Sequence, residues 1–162
     1  GFTCPVTCRD EGFVAMQVLN TIFGGGLTSK LFMKIREEQS LCYEIGSSYQ
    51  GSKGILSVEA GIDFEMFTPV REEILRLLDA CRQGDFTCDE LNSAKQALIS
   101  QLRSTYDSPG AIEGYCITTG LNGLPLTPEQ YARAVESTTA EQVCAAAKAV
   151  QLHSVYFLKG VQ

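Results

Sequence analysis

The chain has 162 residues, 44% of them hydrophobic and 20% charged, with 13 Lys and Arg against 19 Asp and Glu for a net charge of -6. That length and balance predict a single domain spanning 1–162 with its own core, and they exclude disordered and collagen-like chains. No apolar run approaches the roughly 18–20 residues that cross a bilayer, no signal-peptide pattern opens the chain, and the acidic balance argues against a nucleic-acid partner. The expectation is a cytoplasmic protein with no membrane contact.

The elements read as follows in chain order. Phe13, Val14, Met16, Val18, Leu19, Ile22 and Phe23 recur at helical spacing, which predicts a helix from Glu11 to Phe23. Gly24-Gly25-Gly26 ends it, because three glycines lose too much backbone freedom in a helix. Thr28 or Ser29 can cap a short second helix with Leu31, Phe32 and Ile35 on its apolar face. Two alternating runs follow, Leu41 to Tyr49 and Leu56 to Ile62, joined by Gly51-Ser52-Lys53-Gly54; this is the pattern of an antiparallel hairpin. Asp63 is a candidate cap for a helix with Val70, Ile74, Leu77, Leu78 and Cys81 inward, ending at Gly84. Thr87-Cys88-Asp89-Glu90 is a capping box opening a helix to about Tyr106. Ser108-Pro109 opens another, with Ile112 and Tyr115 inward and a break at Gly120 and Gly123-Leu124-Pro125. Thr127 and Thr139 each start a further helix, and Leu152 to Lys159 alternates as a closing strand. The predicted fold is α+β, a mostly antiparallel sheet with helices on one face and an opening strand at or ahead of Gly1.

The chemistry is limited by residue counts. His153 is the only histidine, so neither a Ser–His–Asp triad with its nucleophile elbow nor an H-E-x-x-H or H-x-x-E-H zinc motif can be assembled. The seven cysteines contain no C-x-x-C pair and read as reduced, structural thiols. Gly24 to Lys30 fails as a phosphate loop, since Ser29 stands where the second glycine must be. It reads instead as a helix break that lets backbones approach, or as a loop bordering a cavity. Arg36 and Tyr43 are the most suggestive pair, because a guanidinium fork and a phenol can converge on a carbonyl or carboxylate. The plainer alternative has Tyr43 in the core and Arg36 paired with a nearby Glu.

The block from Leu19 to Phe32, followed by Ile35-Arg36-Glu37-Glu38-Gln39-Ser40-Leu41-Cys42-Tyr43, resembles the pitrilysin-type (M16) zinc peptidase family. Weaker likenesses lie at Glu90-Leu91 with Ala94-Lys95, at Thr138 to Val143, and at Leu158-Lys159-Gly160. The resemblance implies the LuxS/MPP-like metallohydrolase fold, with two similar halves closing around an unfolded peptide. One half carries zinc on H-x-x-E-H. The C-terminal half lacks that motif and supplies an Arg and a Tyr, which by position would be Arg36 and Tyr43. Gly24, Gly25 and Gly26 would then lie near the hinge or the peptide-binding face. The expectation is therefore a C-terminal, non-zinc half of a longer protein, inactive alone, with no catalytic or metal-binding residue of its own. Zinc would be held only by the partner half, in the same chain or another subunit, and the isolated half could pair with itself. The competing readings are a non-peptidase scaffold subunit of the same family and an unrelated small-molecule-binding domain.

Overall fold

The computed structural model describes residues 1–124 and 126–160. Four strands form one sheet in the order β2-β3-β1-β4, every neighbouring pair antiparallel. β1 is Phe2–Thr3, β2 Glu44–Gln50, β3 Ile55–Gly61 and β4 Gln151–Leu152. The opening strand includes Phe2–Thr3 and lies between β3 and β4. The hairpin is as predicted, with Glu44 opposite Gly61 and Gln50 opposite Ile55.

One face of the sheet, carrying Phe2, Ile45, Tyr49 and Leu56, is buried against helices. The other face presents Glu44, Ser48 and Glu59 to solvent. Helix α1, Phe13–Phe23, is the centre of the core: it packs on β2, marginally on α2 (Phe67–Gln83) and mainly on three later helices, and Met16, Val18, Leu19 and Phe23 are fully buried. Those later helices are α3 (Cys88–Ser104), α5 (Pro128–Ser137) and α6 (Ala140–Ala149); α2 lies against α6. The caps read in the sequence are present. Thr87, Thr127 and Thr139 each close a capping box with Glu90, Gln130 and Gln142, satisfying two otherwise orphaned backbone donors at each helix start. Gly84 takes the left-handed conformation that stops α2.

Four expectations change. The short second helix is a π-helix, Phe32–Glu38, stopped by Ser40 at φ 51, the one non-glycine residue with positive φ among the described residues. Asp63 does not cap α2; a 3₁₀ turn, Phe64–Met66, intervenes, and the Asp63 carboxylate is engaged by Tyr43. Helix α4, Pro109–Asn122, buries no residue; Ile112 is exposed and Tyr115 is half-buried, donating to the Leu126 carbonyl at 2.7 Å. The closing strand is two residues long rather than eight, with Gly1 adding backbone bonds to His153 and Ser154 beyond it. The break expected at Pro125 lies outside the described residues, while Gly123 ends α4 in the left-handed region.

Candidate functional site

The candidate residues gather along β2, the outer strand of the sheet. Arg36 comes from the π-helix, whose widened turn lets the Gln39 N–H reach the Lys34 carbonyl five residues back at 3.2 Å, while the Arg36 carbonyl accepts from Ser40. Such insertions are costly in a plain α-helix and recur at functional sites. The chain then reverses through Ser40 and joins the sheet where the Tyr43 N–H donates to the Gly61 carbonyl at 2.8 Å. The result is an open depression of about 560 Å³ bordered by Arg36, Ser40, Cys42, Tyr43, Asp63 and Met66. Arg36 and Tyr43 are therefore brought together on one surface, although each has its own partner.

The Arg36 guanidinium lies 4.6 Å above the Phe32 ring and 3.6 Å from the Glu37 carboxylate. Stacking on the ring limits its rotamers while leaving N–H donors for a ligand. Tyr43 is 68% exposed, so it is not a core residue, and its hydroxyl donates to Asp63 Oδ1 at 2.8 Å. That bond, with the carboxylate charge, holds the phenol above its ordinary pKa. The plainer reading is thus half right: Arg36 does meet a glutamate, and Tyr43 does not pack inside. Burial pushes the neighbouring Cys42 thiol up against the opposing pull of Arg36, so it is not an activated nucleophile.

The glycines follow α1 and meet a different part of the same strand. Gly24 is buried, and its carbonyl accepts from the Ser47 N–H at 2.8 Å, tying the end of α1 to the outward edge of β2. A Cβ on Gly24 would come within 2.6 Å of Ser47 Oγ and 2.7 Å of Leu31 Cδ1. On Gly25 it would meet the α1 backbone at 2.9 Å, whereas on Gly26 it would meet nothing within 4 Å. The close-approach reading holds for Gly24 and Gly25, while Gly26 and the exposed Leu27 form the open tip of the loop. Ser47 and Tyr43 are four residues apart along extended chain, roughly 13–14 Å.

Lys30 closes the loop by pairing with Glu90 Oε1 at 2.9 Å, with the lysine side chain only 10% exposed. For Glu90, burial raises the carboxyl, but the Thr87 N–H and the Lys30 ammonium outweigh it and hold the group below the usual carboxylate range. The capping box of α3 therefore also anchors the glycine loop.

Sequence reasoning missed Asp63 as the partner of Tyr43. The signal was present: a hairpin closed at Gly51–Gly54 sets Tyr43 opposite Ile62, one residue from Asp63. Among the described residues no group of three or more His, Cys, Asp and Glu is placed to hold a metal ion, and His153 is exposed. No helix among them is long and apolar enough to cross a membrane.

The antiparallel sheet with helices packed on one face is the α+β fold of the M16 inactive domains with which the chain superposes. Residues 1–98 match the family model described as the peptidase M16 inactive domain, and the chain belongs to that family. It is 30% identical over its whole length to the probable inactive metalloprotease YmfF of Bacillus subtilis, covering 38% of that protein. A conserved protein from Enterococcus faecalis V583 superposes with a TM-score of 0.86 at 29% identity, over 93% of this chain and 36% of that one. A peptidase M16 inactive domain from Pseudomonas fluorescens superposes at 0.80 with 25% identity, over 94% and 37%. The chain thus spans a little over a third of the length of these relatives.

Proposed function

We propose that this chain is the peptide-binding, non-catalytic half of an M16-type zinc peptidase. Zinc belongs to a partner half in the same polypeptide or another subunit, and an unfolded peptide lies along β2 between the two. The observation that carries this reading is the convergence of Arg36 and Tyr43 on one open depression beside an outer strand. Arg36 offers donors to a peptide carbonyl, and the phenol of Tyr43 fixes the other side of the same group. The glycine loop, with its tip at Gly26, presents backbone to the peptide without a side chain in the way. Extended peptides gain affinity by pairing with an exposed sheet edge, with side-chain contacts giving selectivity.

The test is to pair the chain with its zinc-binding half and measure peptide cleavage by Arg36→Ala and Tyr43→Phe. Each lost transition-state contact should cost roughly 2–4 kcal/mol in kcat/KM. Unchanged values in both variants would remove the assigned roles.

A second reading, a non-peptidase partner subunit, is favoured by the likeness to a relative described as a probable inactive metalloprotease. It predicts binding of peptide without turnover in the assembled protein, abolished by the same two substitutions. In either case the isolated chain, with the face toward the partner half open, is expected to self-associate. A concentration-independent monomer in light scattering would count against that.

A further inference from the structure

Tyr43 and Asp63 stand side by side at the open end of the hairpin. The Tyr43 N–H donates to the Gly61 carbonyl at 2.8 Å, and the Asp63 carbonyl accepts from the Met66 N–H at 3.0 Å. Backbone bonds thus hold both residues, while the Asp63 side chain caps nothing in the 3₁₀ turn it precedes. None of the ion pairs among the described residues includes Asp63. Its carboxylate is left to the Tyr43 hydroxyl, which donates to Oδ1 at 2.8 Å.

A phenol has one proton, and an ionised carboxylate has none to give. The Tyr43 proton is therefore spent on Asp63, and the oxygen has only lone pairs left for a ligand. A neutral carbonyl does not win the proton back, because a hydrogen bond to a charged acceptor is roughly twice as strong as one to a neutral acceptor. The same bond holds the phenol above its ordinary pKa, so the proton stays in place. Arg36 is the opposite case, with five N–H donors and no acceptor. The pair thus offers one donor group and one acceptor. A carboxylate ligand brings acceptors alone and a negative charge. It would meet the Tyr43 lone pairs, and Arg36 is the one cation bordering the depression, against Glu37 and Asp63. A backbone amide inside a peptide brings one acceptor, one donor and no charge.

We propose that the depression takes an internal stretch of peptide backbone, with a C=O on Arg36 and an N–H on the Tyr43 oxygen, and that Asp63 is the positioning residue that makes Tyr43 an acceptor. The assignment rests on the peptide-binding reading and narrows it: terminal carboxylates and free anions are disfavoured, so the ends of a bound peptide lie outside the depression.

The test uses the chain assembled with its zinc-binding half, in EDTA so that no peptide is consumed. The probe is fluorescein-labelled Lys-Ser-Val-Ala-Ser-Val-Ala-Ser-Lys, read by anisotropy. It is compared with analogues in which one backbone N–H at a time is replaced by an ester oxygen. At one position the ester is expected to bind about tenfold more weakly than the amide, the loss of one hydrogen bond, and C-terminal amidation is expected to change nothing. Tyr43→Phe should bind the amide and that ester alike. Asp63→Ala should lose most of the preference, because the freed phenol can donate to the ester oxygen; a merely structural Asp63 would weaken both peptides and keep their ratio. An amide preference kept in Asp63→Ala overturns the positioning role. Esters that all bind like the amide, in a protein still weakened by Arg36→Ala, overturn the acceptor assignment alone. Binding indifferent to both Arg36→Ala and Tyr43→Phe removes the peptide-binding reading and this proposal with it.

Discussion

Gly24 gives the sharpest test of how the site is built. Its φ of -154° lies outside the left-handed region, so the obstacle to a side chain there is space. A methyl group would stand 2.6 Å from Ser47 Oγ, 2.7 Å from Leu31 Cδ1 and 2.8 Å from Ser47 Cβ. Leu31 is fully buried and cannot retreat, and Ser47 is held by its own N–H bond to Gly24 and by a 2.8 Å hydroxyl bond to Asn20. Relief requires α1 and β2 to separate, which lengthens the Ser47–Gly24 bond. Overpacking of this kind costs about 1–3 kcal/mol, and the rigid surroundings favour the upper end. At roughly 2–4 °C per kcal/mol for a chain of this size, Gly24→Ala should lower Tm by about 4–12 °C. Gly26→Ala, with open space around it, should leave stability within about 0.5 kcal/mol of the parent. Urea denaturation of both variants decides the matter. If Gly26→Ala is the more damaging, or Gly24→Ala is neutral, the loop is not held to β2 by close backbone approach.

Glu90→Gln should destabilise by about 1.5–3 kcal/mol at pH 7, because Lys30 is left nearly buried without its counter-charge. The Glu90 carboxyl is held below its ordinary value in the folded chain. Its contribution is therefore complete above the unfolded pKa of about 4.3 and is lost as pH falls through the folded value. Parent and variant should converge in urea titrations at pH 3, and a gap unchanged from pH 7 would contradict the assignment. Thiol labelling at pH 8 should reach the exposed Cys88 and Cys116 first. Cys81, which burial pushes up to about 12, should react only after unfolding; mass spectrometry of labelled peptides reads the order. Asp63→Ala frees the Tyr43 hydroxyl, so the tyrosine absorbance titration should shift one phenol downward in pH. No shift would mean that the 2.8 Å bond is not formed in solution.

Helix starts were legible wherever the signal is local. Thr87-x-x-Glu90, Thr127-x-x-Gln130 and Thr139-x-x-Gln142 each pair a side chain with backbone three residues away, so the sequence carries the whole interaction. The hairpin was legible for the same reason, its loop being four residues long. What failed depended on distant chain. Ile112 has helical spacing like any core residue, but α4 buries no residue and Ile112 stays exposed. Asp63 has the composition of a helix cap, but Tyr43, twenty residues earlier, takes its carboxylate. The π turn over Phe32–Glu38 has no compositional mark.

The sequence by itself determined the class: an acidic α+β domain of the M16 inactive type, with its arginine, tyrosine and glycine triplet in a recognisable order. Order along the chain, however, does not say which groups face one another. Only the tertiary structure placed Arg36 and Tyr43 on one surface and joined Gly24 to the edge of β2. These outcomes rest on sheet register and on helix packing between residues far apart in sequence, and short-range periodicity carries no information about either.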